Sequence, residues 1–351
     1  MTRWKIEELR PFRNYIVEWI DGEKVLLSRG NVLYEAPSFD GPLRERGRLP
    51  ISLLKNAMVK FRLGRRLGRL NFYNVLRCPD DTLFTTFDKS IGLFDGDRYI
   101  AVEGITRPCR VLRSGCAMNE AGDIFFGEYI PNMERGPISI YRLPRGSITA
   151  TPVYTFPART VRHVHGIYYD AFRRALWITA GDIGEECRLM VTDDEFRTLD
   201  IVGSGDETWR SVSIVCRAEC IYYGTDSEFR RNAIYRLDRT TGRREKIHEV
   251  DGTVFYSYTV GNDTFFGSTA ELCPSNPERT ASVWHIDESG NCQAILTLKK
   301  DVWPTKYFQF GHYCFPCLSS PGNGDALHFH AIGLARADGK TFRATHSRLV
   351  E

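Results

Sequence analysis

One pattern recurs three times between Arg162 and Glu271, and its spacing leaves the chain few architectures. In each copy a polar or aromatic cluster opens a strand, an apolar strand follows, a small-residue pair with an acid comes next, and a further strand returns. The copies begin at Arg162-His163-Val164-His165-Gly166, at Thr208-Trp209-Arg210 and at Val254-Phe255-Tyr256. Their matching positions Thr179, Gly224 and Gly267 are 45 and 43 residues apart. That is the length of one four-stranded propeller blade, a unit that must stack on neighbours to bury its faces.

The pattern extends in weaker form to both ends. Ser28, Thr85, Gly127, Thr179, Gly224, Gly267 and His330 serve as equivalent points, with steps of 57, 42, 52, 45, 43 and 63 residues. Seven such units in 351 residues predict an all-β, seven-bladed propeller of four-stranded antiparallel sheets, with six blades and an elaborated edge as the alternative. Residues 1–351 then form a single domain. Helical periodicity is confined to short turns near Lys5–Arg10 and Ile51–Arg62. Closure of such a ring usually borrows a strand from the opposite terminus, which hides sheet edges that would otherwise pair with other chains, and the N-terminal segment is expected to supply it.

Composition excludes several classes. With 42% hydrophobic and 26% charged residues the chain has material for a large core and is not disordered. Its 47 basic and 44 acidic residues balance to +3, which demands no nucleic-acid partner. No apolar run reaches the roughly 18 residues of a membrane span, and Met1–Glu8 does not read as a secretion signal, so a cytoplasmic location is expected. Several of the ten cysteines fall inside predicted strands (Cys187, Cys216, Cys220, Cys292), where a reduced thiol acts as a small hydrophobe. The basic stretch Lys55–Arg69 reads first as a solvated loop or short helix, and second as a contact for an anionic partner such as a membrane face or charged glycan.

Thr192-Asp193-Asp194-Glu195-Phe196-Arg197-Thr198-Leu199 resembles the Asp-box of sialidase-type propellers, Ser/Thr-x-Asp-x-Gly-x-Thr-Trp/Phe, with Phe196 in place of the glycine and Leu199 in place of the aromatic. Leu237–Gly242 and Ile286–Gly290 keep the same turn character. Such a box locks a hairpin turn through an Asp that accepts backbone hydrogen bonds. Together with His163-Val164-His165-Gly166 and Tyr223-Gly224-Thr225-Asp226, it makes the chain similar to Asp-box (BNR) repeat, sialidase-like propeller proteins. The resemblance implies a carbohydrate-related role. It does not imply a true sialidase, because the Phe/Tyr-Arg-Ile-Pro motif of those enzymes is missing.

In a propeller the openings of the innermost strands converge on one face. Here those openings carry His163 and His165, Trp209 and Arg210, Tyr256 and Tyr258, and His312, while Glu128, Asp182, Asp226, Glu228 and Glu271 follow the next strands. His163, His165, Arg210 and Tyr256 are the candidate catalytic residues. A guanidinium can neutralise a sugar carboxylate while His or Tyr removes a proton beside it. The five acids, with Trp209, Tyr258 and His312, are candidate substrate contacts; the acids also satisfy the paired-carboxylate requirement of a glycoside hydrolase. His328 and His330 share a strand face at i, i+2, a spacing that with a third ligand can hold a divalent metal, although nothing in the pattern requires a cofactor. Cys314-Phe315-Pro316-Cys317 stands alone, without the second pair that a zinc site needs.

These residues point to a propeller that binds and cleaves an acidic, uronate-containing glycan or oligosaccharide in its axial pocket, by lyase or hydrolase chemistry. The reading from another class is a non-catalytic scaffold for protein partners, for example in polysaccharide assembly.

Overall fold

Each of the seven anchor residues lies on the second strand of its own four-stranded antiparallel sheet. The computed structural model describes residues 3–273, 276–317 and 326–347. Blades 1 to 6 span residues 16–48, 72–101, 116–156, 164–204, 211–250 and 254–299, and blade 7 spans 312–347. The count is seven, not six. Inner strands of neighbouring blades pack side by side around an axis, so the second strands are buried on both faces, as at Leu83–Phe87 and Ala175–Ala180.

The repeat has a packing cause. An added Cβ on Gly127 would fall 2.5 Å from Val164 of the next blade, and one on Gly224 would fall 2.3 Å from Val254 of the next blade. At these equivalent points the inner strand of the following blade presses on the backbone itself. Any larger side chain would push the blades apart.

Lys5–Glu8 is extended rather than helical. Arg3–Glu8 pairs with Thr341–Ser347 as the outermost strand of blade 7, and only Arg10–Phe12 makes a short 3-10 turn. Trp4 and Ile6 alternate with polar residues and pack on the core of blade 7, which is the period of a strand. The basic stretch forms two short helices, α1 (Leu53–Val59), capped by Ser52, and α2 (Arg62–Gly68), which ends at Arg69 in the left-handed region with φ 51°. It is not a wholly solvated segment. Arg65 and Arg66 are buried, Arg65 donates to the Val59 carbonyl at 2.9 Å, and Arg66 pairs with Asp301 and Asp338.

The Asp-box turn closes the third and fourth strands of blade 4. Asp194 accepts from the Thr198 amide at 2.9 Å and from the Thr192 and Thr198 hydroxyls at 3.0 and 2.8 Å. Asp238 accepts from the Thr240 and Thr241 amides in the matching turn of blade 5. These turns lie at the opposite end of the blades from the inner-strand openings, so they shape hairpins and leave the axial chemistry to other residues.

A candidate metal centre at the axial mouth

The inner strands begin irregularly. Their pairing with the second strand skips one residue in blades 1, 2, 4 and 6, leaving Glu18, Tyr73, His165 and Phe255 as extra residues. A bulge bends the strand and re-aims a side chain. In blade 4 it turns the His165 ring toward that of His163, and the two Nε2 atoms lie 3.1 Å apart. Both also meet Asp182 Oδ1, at 3.2 and 3.1 Å.

The second ring nitrogens set the protonation. His163 Nδ1 faces the Ile130 carbonyl at 3.0 Å and His165 Nδ1 faces the Ser211 carbonyl at 3.1 Å. A carbonyl oxygen only accepts, so each ring carries a hydrogen on Nδ1 and turns Nε2 inward. Burial drives His165 down to about 4, so its ring is neutral near pH 7. Burial alone would lift the Asp182 carboxyl, but the two histidines on Oδ1 outweigh it and hold it well below its ordinary range. Arg162, 2.8 Å from Oδ2, acts in the same direction. Two inward ring nitrogens and a carboxylate oxygen therefore converge on one point. These are the only His, Cys, Asp and Glu side chains among the described residues that group three ligand atoms closely enough to hold a metal ion.

Around this triad sits a charged shell. Arg210 reaches Asp182 at 3.5 Å, Asp226 at 3.1 Å and Glu228 at 3.2 Å. Burial, with Glu271 and Asp182 adding to it against the pull of Arg210, pushes Asp226 up to about 8. Glu271 is raised by burial and by Glu228. Tyr129 lies with its ring 4.1 Å from that of His163, and Tyr256 lies 5.7 Å from that of His312. Burial raises both phenols, so they stay protonated donors. His312 Nδ1 faces the Phe310 carbonyl at 3.1 Å, and burial takes its ring down to about 4. Beneath them Arg113 and Glu18 form a buried ion pair at 2.9 Å.

Of the residues singled out in the sequence, His163, His165, Asp182, Arg210, Asp226, Glu228 and Glu271 form one cluster, and Tyr256 and His312 stand beside it. Arg210 is not a waiting carboxylate receptor: its amino groups already hold three acids, and only its Nε lacks a partner. Glu128 is held elsewhere, paired with Arg107 and accepting from the Tyr141 hydroxyl and the Ser139 amide. Trp209 stacks on Tyr223 and under the Arg244 guanidinium, 4.0 Å from its ring centre, as packing between blades 4 and 5. Tyr258 is 1% exposed in the core of blades 6 and 7. His328 and His330 do not share a metal set. His328 stacks on Phe39 at 4.2 Å with both ring nitrogens unpartnered, whereas His330 is fixed to the Thr341 hydroxyl at 2.9 Å. Cys314 is a buried thiol pushed up to about 11, a poor nucleophile.

Sequence reasoning passed over Tyr129, Tyr73 and Arg162. Tyr129 was detectable: it stands two residues past Gly127, as Asp226 stands two past Gly224, so it and not Glu128 takes the mouth position in blade 3.

No family model matches the chain, and no curated protein does. Among solved structures it is similar to an oligogalacturonate lyase in complex with manganese, with a TM-score of 0.61 and 10% identity over 99% of this chain and 96% of that one. It is also similar to a catalytically inactive virginiamycin B lyase from Staphylococcus aureus with quinupristin, at 0.58 and 13% over 98% and 99%. A chain of the mitotic checkpoint complex follows at 0.55 and 11% over 97% and 93%. The likeness is one of fold. A seven-bladed propeller hosts both enzymes and assembly proteins, so the chemistry must be argued from the mouth.

Proposed function

We propose that the axial mouth is the active site of a divalent-cation-dependent enzyme that cleaves an acidic, uronate-containing glycan by β-elimination. The observation that carries this reading is the triangle of His163 Nε2, His165 Nε2 and Asp182 Oδ1, with sides of 3.1–3.2 Å. Adjacent ligands of an octahedral ion bound at about 2.1–2.2 Å are separated by about 3.0–3.1 Å, so the triangle suits one face of such an ion. The carbonyls behind each Nδ1 are the outer partners that orient metal-binding histidines. Asp182, Glu228 and Glu271, with Asp226 held mostly protonated, face two guanidinium groups (Arg162, Arg210), and a dication would draw the Asp226 proton off and balance the acids. The manganese complex of the oligogalacturonate lyase, which has the same fold, supports the choice of ion and substrate class.

When bound, the cation would neutralise the substrate carboxylate and acidify the neighbouring C5–H, a task that Arg210 is too committed to perform. In this reading His312, whose Nε2 is turned away from the Phe310 carbonyl, takes the C5 proton. The C5–H electrons become the C4=C5 double bond, the C4–O bond breaks, and the Tyr256 phenol donates its proton to the departing oxygen. Tyr129 and Phe310 supply ring faces for the sugars. Buried thiols such as Cys116 and Cys314 suit a reducing compartment, so a cytoplasmic site of action belongs to the proposal.

The test is a screen of Mn2+-supplemented protein against oligogalacturonate, other uronate glycans and neutral glycans, reading unsaturated-uronate absorbance and reducing ends together. Both signals are expected from a uronate glycan. Reducing ends without absorbance would assign hydrolysis instead, with Asp226, protonated up to about 8, as the acid. Neither signal would remove the enzyme reading and leave the protein scaffold.

A further inference from the structure

The face that carries the mouth is unusually apolar at its tips. It is built from the links between successive blades and the links between second and third strands. Fourteen large apolar side chains are exposed among the described residues, and eleven of them lie on these links. Scattered singly, such residues need no explanation. Here they mark a ring. Met133, Ile183, Phe229 and Leu272 stand 56–74% exposed on the corresponding links of blades 3, 4, 5 and 6. On the other side of the axis, the α1–α2 hairpin exposes Leu53 at 89%, Leu54 at 73% and Phe61 at 69%, and the 300–311 link exposes Val302 at 94% and Trp303 at 40%.

The hairpin and that link are fastened together. Arg66 pairs with Asp301 and Asp338, donates to the Gln309 carbonyl at 3.3 Å, and lies 5.6 Å over the Phe308 ring. From Ser52 to Leu70 there is no acid, and Lys60, Arg62 and Arg69 are exposed beside the apolar residues. Lys306 adds a further exposed cation, and Asp301 is neutralised by Arg66 and Lys300.

We infer that the hairpin side of this face docks on an anionic lipid bilayer, with Leu53, Leu54, Phe61, Val302 and Trp303 entering the headgroup boundary and Lys60, Arg69 and Lys306 meeting acidic headgroups, which leaves the mouth itself open. Apolar and aromatic tips beside Lys and Arg are the chemistry of interfacial binding. Two copies joined hairpin to hairpin would instead set Lys60 and Arg69 against their own kind, since the Asp338 carboxylate is already engaged by Arg62 and Arg66. The inference is independent of what the mouth catalyses.

The experiment is co-sedimentation of the full chain with phosphatidylcholine vesicles and with phosphatidylglycerol-rich vesicles, at low and raised salt. Wild type is expected to sediment with the anionic vesicles only, with a blue shift of Trp303 emission that Trp303→Phe removes. The triple variant Leu53→Ser/Leu54→Ser/Phe61→Ser and the pair Lys60→Glu/Lys306→Glu, whose exposed positions leave the thermal unfolding midpoint unchanged, should each lower partitioning at least tenfold. Wild-type protein that stays in the supernatant, forms a dimer without lipid, or sediments equally well as the triple variant would overturn the inference.

Discussion

Nε2 of His163 and Nε2 of His165 lie 3.1 Å apart beside Asp182 Oδ1, while each ring donates from Nδ1 to a main-chain carbonyl. Two inward nitrogens beside a carboxylate oxygen favour a positive charge among them, a shared proton or the cation of the proposed function.

The floor beneath the mouth depends on another pair. Glu18 and Arg113 are 1% and 5% exposed. Burial pushes the Glu18 carboxyl up and the guanidinium only partly offsets it, whereas Arg113 is held charged by Glu18. Removing either partner leaves a buried charge alone. Glu18→Gln and Arg113→Met are each expected to cost about 3–5 kcal/mol in urea unfolding, and the double variant less than the sum.

Phe196 occupies the glycine position of the Asp-box turn at φ 70°, with its ring buried near Phe125. Phe196→Gly would relieve about 1–2 kcal/mol of left-handed strain but forfeit about 3–5 kcal/mol of ring burial. Packing wins. The variant should be about 2 kcal/mol less stable by chemical denaturation, although it restores the resembled motif.

The same contrast explains how much of the molecule was legible. Blade number could be read because Gly127 and Gly224 recur wherever a neighbouring valine presses on the backbone, a constraint that leaves a periodic trace. The site was legible in part, since unlike residues at His163, Arg210 and Tyr256 broke that sameness. Glu128 and Trp209 broke it equally and yet serve blade packing, because nothing local reveals that Arg107 or Arg244 will arrive to hold them. Bulges at Tyr73 and His165 re-aim side chains by one residue, and simple alternation cannot register that. His328 and His330 had the right spacing for a ligand pair but lack a shared third ligand among the described residues.

Those two histidines, together with His165 and His312, give the fold a pH dependence. Burial, with Arg343 assisting, takes His328 down to about 4, and burial, with Arg65, Arg113 and His312 assisting, takes His330 to about 3. An unfolded histidine titrates near about 6.5, so the unfolded chain binds more protons below that pH and stability falls with it. The histidine contribution to the thermal midpoint should be level above about pH 7 and be lost from about 6.5 toward 4, opposed by Asp226, which is protonated in the fold up to about 8. His328→Leu, which keeps the volume against Phe39, should lessen that decline relative to wild type; an unchanged slope would remove His328 from the explanation.

The most direct measurement of the central claim is calorimetric titration of Mn2+ into the metal-stripped protein and into His163→Ala, His165→Ala and Asp182→Asn. The predicted result is one ion per chain for the unaltered protein, with protons released where the site displaces them, and affinity lowered by about 100-fold or more in each variant with the unfolding midpoint retained. Absence of binding, or binding that all three variants preserve, would contradict the account.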